Sequence, residues 1–115
     1  MRRFPSIKDN CEFRKIYEEG RTRADRNLVL YVRPRTTGEP RIGISASKKI
    51  GNSVVRHRVT RLLREAFRLH RSSISVSCDL VFVVRKDGAM QGYHAIEASF
   101  LKLCRAQGIL ILEEQ

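Results

Sequence analysis

Arginine side chains between residues 48 and 71 are the groups whose type and spacing most clearly indicate a chemistry. This segment has eight basic residues against one acid, Glu65, which leaves +7 of the chain's net charge of +11. Six of the eight are arginines, and a guanidinium is a planar fork of donors that suits phosphates and can stack on bases. The segment therefore predicts a polyanionic partner, with nucleic acid as the first choice and an anionic membrane surface as the second.

Helical geometry places these arginines on one side of an amphipathic helix. At 100° per residue one arc holds Val55, Val59, Leu62, Leu63, Ala66, Phe67 and Leu69. The remaining arc holds Arg56, His57, Arg58, Thr60, Arg61, Arg64, Glu65, Arg68 and Arg71. Like charges three or four residues apart each cost roughly 0.2–0.5 kcal/mol, so a face that only meets solvent normally mixes signs. The repeated arginines predict a partner that relieves this repulsion.

Two other uses of a basic helix fit the sequence less well. A membrane-surface helix needs an exposed apolar face, whereas a small domain needs this apolar face for its core. A DNA-reading helix-turn-helix needs a second helix just upstream, and here the upstream segment has the pattern of a strand. Nucleic acid therefore remains the favoured partner.

Length and composition predict one domain over residues 1–115. The three cysteines, Cys11, Cys78 and Cys104, have no metal-binding spacing, which predicts reduced thiols and no zinc site. No apolar run is long enough to cross a bilayer, and the basic N-terminus lacks the apolar stretch of a secretory signal. We therefore expect a cytoplasmic protein with no membrane partner.

The elements that position the basic helix follow from periodicity and turn residues. In the first half we predict a helix over 8–19 with Gly20 as a left-handed C-cap, a strand over 28–32, a hairpin loop over 36–40 and a strand over 41–47. In the second half we predict a turn over 48–52, a helix from an Asn52 or Ser53 N-cap to 70, a loop over 71–79, a central strand over 80–84, a loop over 85–92 and a helix over 93–106. Residues 109–112 could be a strand or more helix. The expected fold class is α+β, an α/β sandwich in which helices cover a small mixed sheet.

Residues 43–68 resemble the signature of the bacterial ribonuclease P protein component, which joins a Ser-x-Ser-Lys-Lys-x-Gly-Asn turn to an arginine-rich helix called the RNR motif. The matching positions are Lys48, Lys49, Gly51, Asn52, Arg56, Arg58, Arg61, Arg64, Glu65 and Arg68. Phe13-x-x-Ile16-Tyr17-x-x-Gly20 is similar to the family's first helix, and residues 28–31 and 80–85 to two of its strands. The sequence departs from the family at Ser53, His57 and Thr60.

The resemblance implies the fold of the second domain of ribosomal protein S5, with a left-handed β-α-β crossover. That order needs one more strand, which residues 21–26 or 109–112 could supply. It implies a subunit that assists endonucleolytic removal of the 5′ leader of precursor tRNA. The implied partners are ribonuclease P RNA and precursor tRNA, with no obligate protein partner, and the implied cofactor is Mg²⁺ held mainly by RNA.

The resemblance also assigns roles to residues. The RNA-binding set is Lys48, Lys49, Asn52, Arg56, His57, Arg58, Arg61, Arg64 and Arg68. The cleft for the single-stranded leader is assigned to Phe13, Tyr17 and Tyr31, although Phe13 could equally be a core residue. We predict no catalytic and no metal-binding residue on the chain, because paired acids or a His/Asp cluster are not visible and His94 with Glu97 is interpreted as surface chemistry. A general RNA-binding module is the alternative function, and a protein-only nuclease is the third.

Overall fold

The computed structural model of the chain describes residues 6, 7 and 9–111. Its helices are α1 (Asn10–Glu19), α2 (Ser53–His70), α3 (Lys86–Ala89) and α4 (Tyr93–Ala106). Its strands are β1 (Arg21–Ala24), β2 (Leu28–Pro34), β3 (Arg41–Ser45) and β4 (Cys78–Val84), and short 3-10 turns lie at Lys48–Ile50 and Arg71–Ser73. The mixed α/β architecture confirms the predicted fold class.

The four strands form one sheet in the order β1-β2-β4-β3. β1 and β2 pair antiparallel, β2 and β4 pair antiparallel, and β3 and β4 pair parallel. The hairpin predicted at residues 36–40 is therefore wrong, because β4 lies between β2 and β3. β4 is the most apolar strand and is covered on both faces, which is why it takes a central place in the sheet. The handedness of the β3-α2-β4 crossover stays a prediction from the resemblance.

Side chains of β4 alternate between two apolar clusters. Leu80, Phe82 and Val84 join the larger cluster with buried residues of α2 and α4. On the other face of the sheet Val81 packs with Ile7 and Ile16. The sheet is thus the middle layer of the fold. Helix α1 covers one of its faces, and α2 and α4 cover the other.

Gly20 ends α1 without the left-handed conformation predicted for it. Its φ and ψ are −78° and 153°, which is extended backbone. A Cβ at this position would lie 2.6 Å from the carbonyl oxygen of Ile16 and 3.1 Å from that of Val32. Glycine is needed here for close approach of the chain to β2, and the extended backbone leads directly into β1.

Several predicted boundaries move by a few residues. The helix predicted from residue 8 has Asp9 as its N-cap, and Lys8 lies outside the described residues. The strand predicted over 41–47 ends at Ser45, and the predicted loop over 85–92 contains α3. β1 supplies the missing strand, within residues 21–26. Helix α4 ends at Ala106 and Leu110 forms a single antiparallel bridge with Ile74, so 109–111 add neither helix nor a sheet strand; residue 112 is outside the described part.

Candidate nucleic-acid interface

The apolar arc of α2 packs on the sheet and leaves its basic arc facing outward. Val59, Leu63, Ala66 and Phe67 are buried, and Val55 and Leu62 pack against the same cluster. Leu69 departs from the prediction, since it is 49% exposed. At 100° per residue it lies roughly 100° from the centre of the four buried positions, which puts it at the margin of the contact.

The two lysines of the turn before α2 are exposed. Lys48 and Lys49 lie in a 3-10 turn in which the Ser47 hydroxyl accepts from the Lys49 amide at 3.3 Å. Gly51 follows with φ +155°, and a Cβ there would lie 2.9 Å from Val55 Cβ. Helix α2 then begins with Asn52 as its N-cap, whose Oδ1 accepts from the Val55 amide at 3.0 Å. The cap occupies the oxygen of Asn52, so its amide nitrogen is the group left to meet a ligand.

The predicted RNA-binding residues differ in their contacts within the described part of the chain. Lys48, Lys49, His57, Arg61 and Arg64 are exposed and have no hydrogen bond or ion pair to other described residues. The Arg58 guanidinium donates to the carbonyls of Ala89 at 3.4 Å and Gln91 at 2.5 Å, so it ties α2 to the end of α3. The Nε atom of Arg56 is buried and lacks a hydrogen-bond partner in the same part of the chain.

Arg68 differs from its neighbours because a carboxylate already pairs with it. Its Nε and Nη2 donate to the two carboxylate oxygens of Glu65 at 3.0 and 2.5 Å. This bond lowers the pKa of Glu65 and raises the pKa of Arg68, so both groups stay charged at neutral pH. The pair contributes no net charge to the basic face, and the sequence pattern gives no sign of this.

A cleft lies on the opposite face of the sheet, between α1 and β3. It has a volume of about 400 Å³ and is lined by Asn10, Phe13, Arg14, Tyr17, Ile44 and Ser45. The rings of Phe13 and Tyr17 are 6.2 Å apart between centroids, and Tyr17 meets Tyr31 edge-on at 4.9 Å. The structure therefore brings the three aromatic residues together: Phe13 and Tyr17 line the cleft, and Tyr31 joins them through its contact with Tyr17.

Phe13 turns out to be both a cleft residue and a core residue. It packs against the cluster of Ile7, Ile16 and Val81, and it also lines the cleft. Its ring lies directly over Gly43, where a Cβ would be 2.8 Å from Phe13 Cζ. The small residue on β3 thus creates the space that the ring fills.

Sequence reasoning missed four lining residues: Asn10, Arg14, Ile44 and Ser45. The signal for the first two was available, because Asn10, Phe13, Arg14 and Tyr17 have the i, i+3, i+4, i+7 spacing of one helical face. The signal for Ser45 was the small, polar row that alternates with the isoleucines of β3. Arg14 adds a cation beside the aromatic rings, which suits a ligand with both bases and phosphates.

Outside these two surfaces, Cys78 and Cys104 are buried and a His70–Glu97 contact joins two helices. Burial raises the pKa of the Cys78 thiol to about 12 and raises that of Cys104 as well, while Cys11 is exposed. Glu97 accepts from His70 Nε2 at 2.7 Å, which joins α4 to α2. Within residues 6, 7 and 9–111 His, Cys, Asp and Glu side chains form no group of three that could hold a metal ion. None of the helices in that range is both long and apolar enough to cross a membrane.

Comparison with known proteins identifies the family. The sequence model of ribonuclease P matches residues 1–107. The chain belongs to the family of bacterial ribonuclease P protein components. It is 42% identical over 111 residues to the ribonuclease P protein component of Clostridium novyi, covering 95% of this chain and 98% of the relative. It is 39% identical over 104 residues to that of Alkaliphilus metalliredigens, covering 90% and 94%.

Solved structures agree with the family. The chain is similar to the Staphylococcus aureus RNase P protein with a TM-score of 0.86 and 30% identity, covering 94% of this chain and 99% of that one. The Thermotoga maritima RNase P protein shares the fold with a TM-score of 0.80 at 23% identity. A ribonuclease P protein component is a subunit of an endoribonuclease that is a ribonucleoprotein and acts in tRNA processing. The predicted family, fold class, function and RNA partnership are thereby confirmed, and the comparisons favour them over the general RNA-binding module.

Proposed function

We propose that the chain holds two RNAs at once: the ribonuclease P RNA on the basic face of α2 and the 5′ leader of precursor tRNA in the α1–β3 cleft. The observation that carries this proposal is the position of the two surfaces in different layers of the fold. The cleft lies on the α1 side of the sheet, and α2 packs on the other side. Because the cleft and the basic arc of α2 lie on opposite sides of the sheet, both can hold RNA at once, and the two surfaces adjoin where Ser45 of the cleft leads into the turn at Lys48.

The basic face of α2 suits a folded RNA through its phosphates. Four exposed cations, Lys48, Lys49, Arg61 and Arg64, have no partner among the described residues, so they can pair with phosphates without breaking an existing contact. Each phosphate that a Lys or Arg neutralises releases counterions and steepens the dependence of affinity on salt. Asn52 and His57 add donors beside these cations, and the turn at residues 48–50 extends the surface beyond the N-terminus of α2.

The cleft suits an unpaired strand. Aromatic rings stack on any base and contribute roughly 1–3 kcal/mol per base, which fits a leader of variable sequence. Tyr17 is 37% exposed, so one side of its ring is accessible while its edge-on contact with Tyr31 fixes its orientation. Arg14 can reach a phosphate beside the stacked base, and Asn10 and Ser45 can form hydrogen bonds with it. A volume of about 400 Å³ admits a short stretch of chain only.

In this proposal the protein binds and positions RNA, and the RNA subunit supplies the catalytic groups. Mg²⁺ prefers oxygen ligands and commonly uses phosphates, and we propose that the RNA subunit holds most of it. The described side chains form no cluster that fits a metal ion, and the roles proposed for this chain need none. The chain's contribution to Mg²⁺ use would be indirect, through neutralisation of phosphate repulsion. The exposed thiol of Cys11 is compatible with a reducing cytoplasm, which is where we expect the holoenzyme.

Reconstitution tests both surfaces. The protein is mixed with a bacterial ribonuclease P RNA and a 5′-labelled precursor tRNA, at a Mg²⁺ concentration too low for the RNA alone. We expect cleavage at the mature 5′ end that needs both components. Replacing Arg61 and Arg64 with Ala should weaken binding of the RNA subunit, and Tyr17→Ala should weaken binding of precursor but not of mature tRNA.

A folded protein that binds RNA but does not stimulate cleavage with several bacterial RNAs would contradict the subunit role. Equal loss of precursor and mature tRNA binding in Tyr17→Ala would contradict the assignment of the leader to the cleft.

A further inference from the structure

Asp79 is a buried carboxylate at the start of β4, with only 1% of its surface exposed. Arg41 is paired with it in the β3–β4 register. The Arg41 guanidinium donates two hydrogen bonds to the carboxylate, from Nε to Oδ1 at 2.8 Å and from Nη2 to Oδ2 at 3.1 Å. The same guanidinium extends Nη1 toward Glu12 of α1 at 3.3 Å. One arginine therefore joins α1 to two strands of the sheet.

A second arginine makes the same connection further along α1. Arg33 of β2 pairs with Glu19 through Nε at 2.9 Å, and its Nη1 lies 4.0 Å from Asp79 Oδ2. Glu12 and Glu19 are seven residues apart, which places them two turns apart on one face of the helix. Arg35 approaches the same carboxylate at 3.8 Å. Helix α1 is thus held at both ends by ion pairs that meet at Asp79.

The cleft residues lie between these two points of attachment. Phe13 follows Glu12 directly, and Tyr17 precedes Glu19 by two residues. On the sheet side, Arg41 lies in the row of β3 that faces α1, with Gly43 under the Phe13 ring and Ser45 in the cleft lining. The ion-pair network and the cleft are therefore both built from α1 and β3.

Apolar contacts alone leave the position of α1 weakly specified. Only Ile7, Ile16 and Val81 are buried in the described cluster beneath this helix, with Phe13, Tyr31 and Val83 packed around them. Apolar burial is non-directional, whereas a bidentate arginine–carboxylate pair fixes geometry. The bond to Asp79 also raises the pKa of Arg41, so the guanidinium keeps the charge that both of its carboxylate contacts need.

We propose that the Asp79–Arg41–Glu12 and Asp79–Arg33–Glu19 contacts position α1 over the sheet and so set the width of the leader cleft. Arg41, Glu12 and Glu19 are positioning residues here, because they act through the placement of Phe13 and Tyr17. The inference rests on the proposed function, in which the cleft holds the leader. It predicts that the network affects discrimination between precursor and mature tRNA and leaves docking of the RNA subunit unchanged.

The test compares four single variants in the reconstituted holoenzyme. Glu12→Gln removes one contact with α1, and Arg41→Lys keeps the charge but loses the bidentate geometry. Glu18→Gln is the matched control, since Glu18 is an exposed acid of the same helix with no ion pair among the described residues. Tyr17→Ala reports on the cleft itself. The measured quantity is the ratio of Kd values for mature and precursor tRNA, with leaders of two or more lengths.

Glu12→Gln and Arg41→Lys should each lower this ratio about three- to tenfold relative to Glu18→Gln, with the Kd for mature tRNA and for the RNA subunit unchanged. If Tyr17→Ala lowers the ratio and Glu12→Gln behaves like Glu18→Gln, the network serves stability alone and the inference is wrong. If Tyr17→Ala leaves the ratio unchanged, the cleft does not hold the leader, and the proposed function fails together with this inference. Glu12 is partly exposed, so its variant remains informative even if Arg41→Lys does not fold.

Discussion

Glu65 is the one acid between residues 48 and 71, and its replacement by Gln should strengthen RNA binding. Its carboxylate accepts two hydrogen bonds from Arg68, at 3.0 and 2.5 Å. A phosphate that approaches Arg68 must compete with this carboxylate and is also repelled by it. Glu65→Gln keeps the shape of the side chain but removes the charge, which frees one cation on the basic face.

The size of the effect follows from counterion release. One additional phosphate contact changes the slope of log K against log salt by about −0.9, which corresponds to about eightfold in affinity at 0.1 M monovalent salt. Glu65→Gln should therefore tighten binding by up to about eightfold at that salt concentration and steepen the slope by about 0.9. Arg61→Ala removes a cation with no partner among the described residues, so it should weaken binding by up to about eightfold and make the slope shallower by about 0.9. The Arg61→Ala, Arg64→Ala double variant should weaken binding about 60-fold.

The assay is equilibrium binding of labelled ribonuclease P RNA across a series of salt concentrations. Glu18→Gln on α1 makes the same change in net charge on the other side of the sheet, and it should give a smaller effect than Glu65→Gln. Weaker binding by the Glu65→Gln protein would refute the reasoning, because it would mean that the carboxylate holds Arg68 in its binding orientation. An unchanged salt slope would show that removing the carboxylate adds no phosphate contact at Arg68.

Three further outcomes test the cleft and the interior. Gly43→Ala places a methyl group 2.8 Å from Phe13 Cζ. We expect the free energy of unfolding, measured in urea, to fall by about 1–3 kcal/mol and precursor tRNA to bind more weakly. Wild-type values for both would contradict the contact. With a thiol reagent the native protein should react rapidly at Cys11 only, and the two buried cysteines should react after unfolding; three fast thiols in the native state would disagree. Burial raises the pKa of Asp25, but hydrogen bonds from Ser99 and two backbone amides outweigh it and lower the pKa below 3.8. Its contribution to stability is therefore present above about pH 4 and lost as the pH falls through the folded-state pKa, and Asp25→Asn should show a smaller loss of stability below pH 4 in thermal unfolding.

Periodicity predicted the elements that carry strong apolar patterns and failed where the pattern was weak. Helix α2 was found to within a residue because its apolar arc and its Asn52 cap agree. β1 was only one of two possible positions for the missing strand, because Arg-Thr-Arg-Ala is exposed throughout and has no apolar alternation. The hairpin at 36–40 was predicted from adjacency along the chain, and the sequence gives no local signal that β4 would insert between β2 and β3.

The candidate site divides in the same way. The basic arc and the aromatic trio were predictable, because helical spacing and family motifs are properties of short segments. The hydrogen bonds from Arg58 to the carbonyls of Ala89 and Gln91 were not predictable, since these partners are 31 and 33 residues away. Asp79 was missed for the same reason. A single acid at the start of an apolar strand becomes meaningful only when the fold brings Arg41 beside it, 38 residues away.

One strand links the two surfaces of the protein. In β4, Leu80, Phe82 and Val84 support α2, while Asp79, Val81 and Val83 face α1 and the cleft. The side-chain period of a strand is two, so a shift of one residue in register would exchange these rows. It would turn a buried carboxylate toward the apolar layer of α2 and α4 and remove the anchor of α1. The pairing of β4 with β2 and β3 therefore positions both candidate surfaces together, which accounts for their fixed relation in a chain of 115 residues.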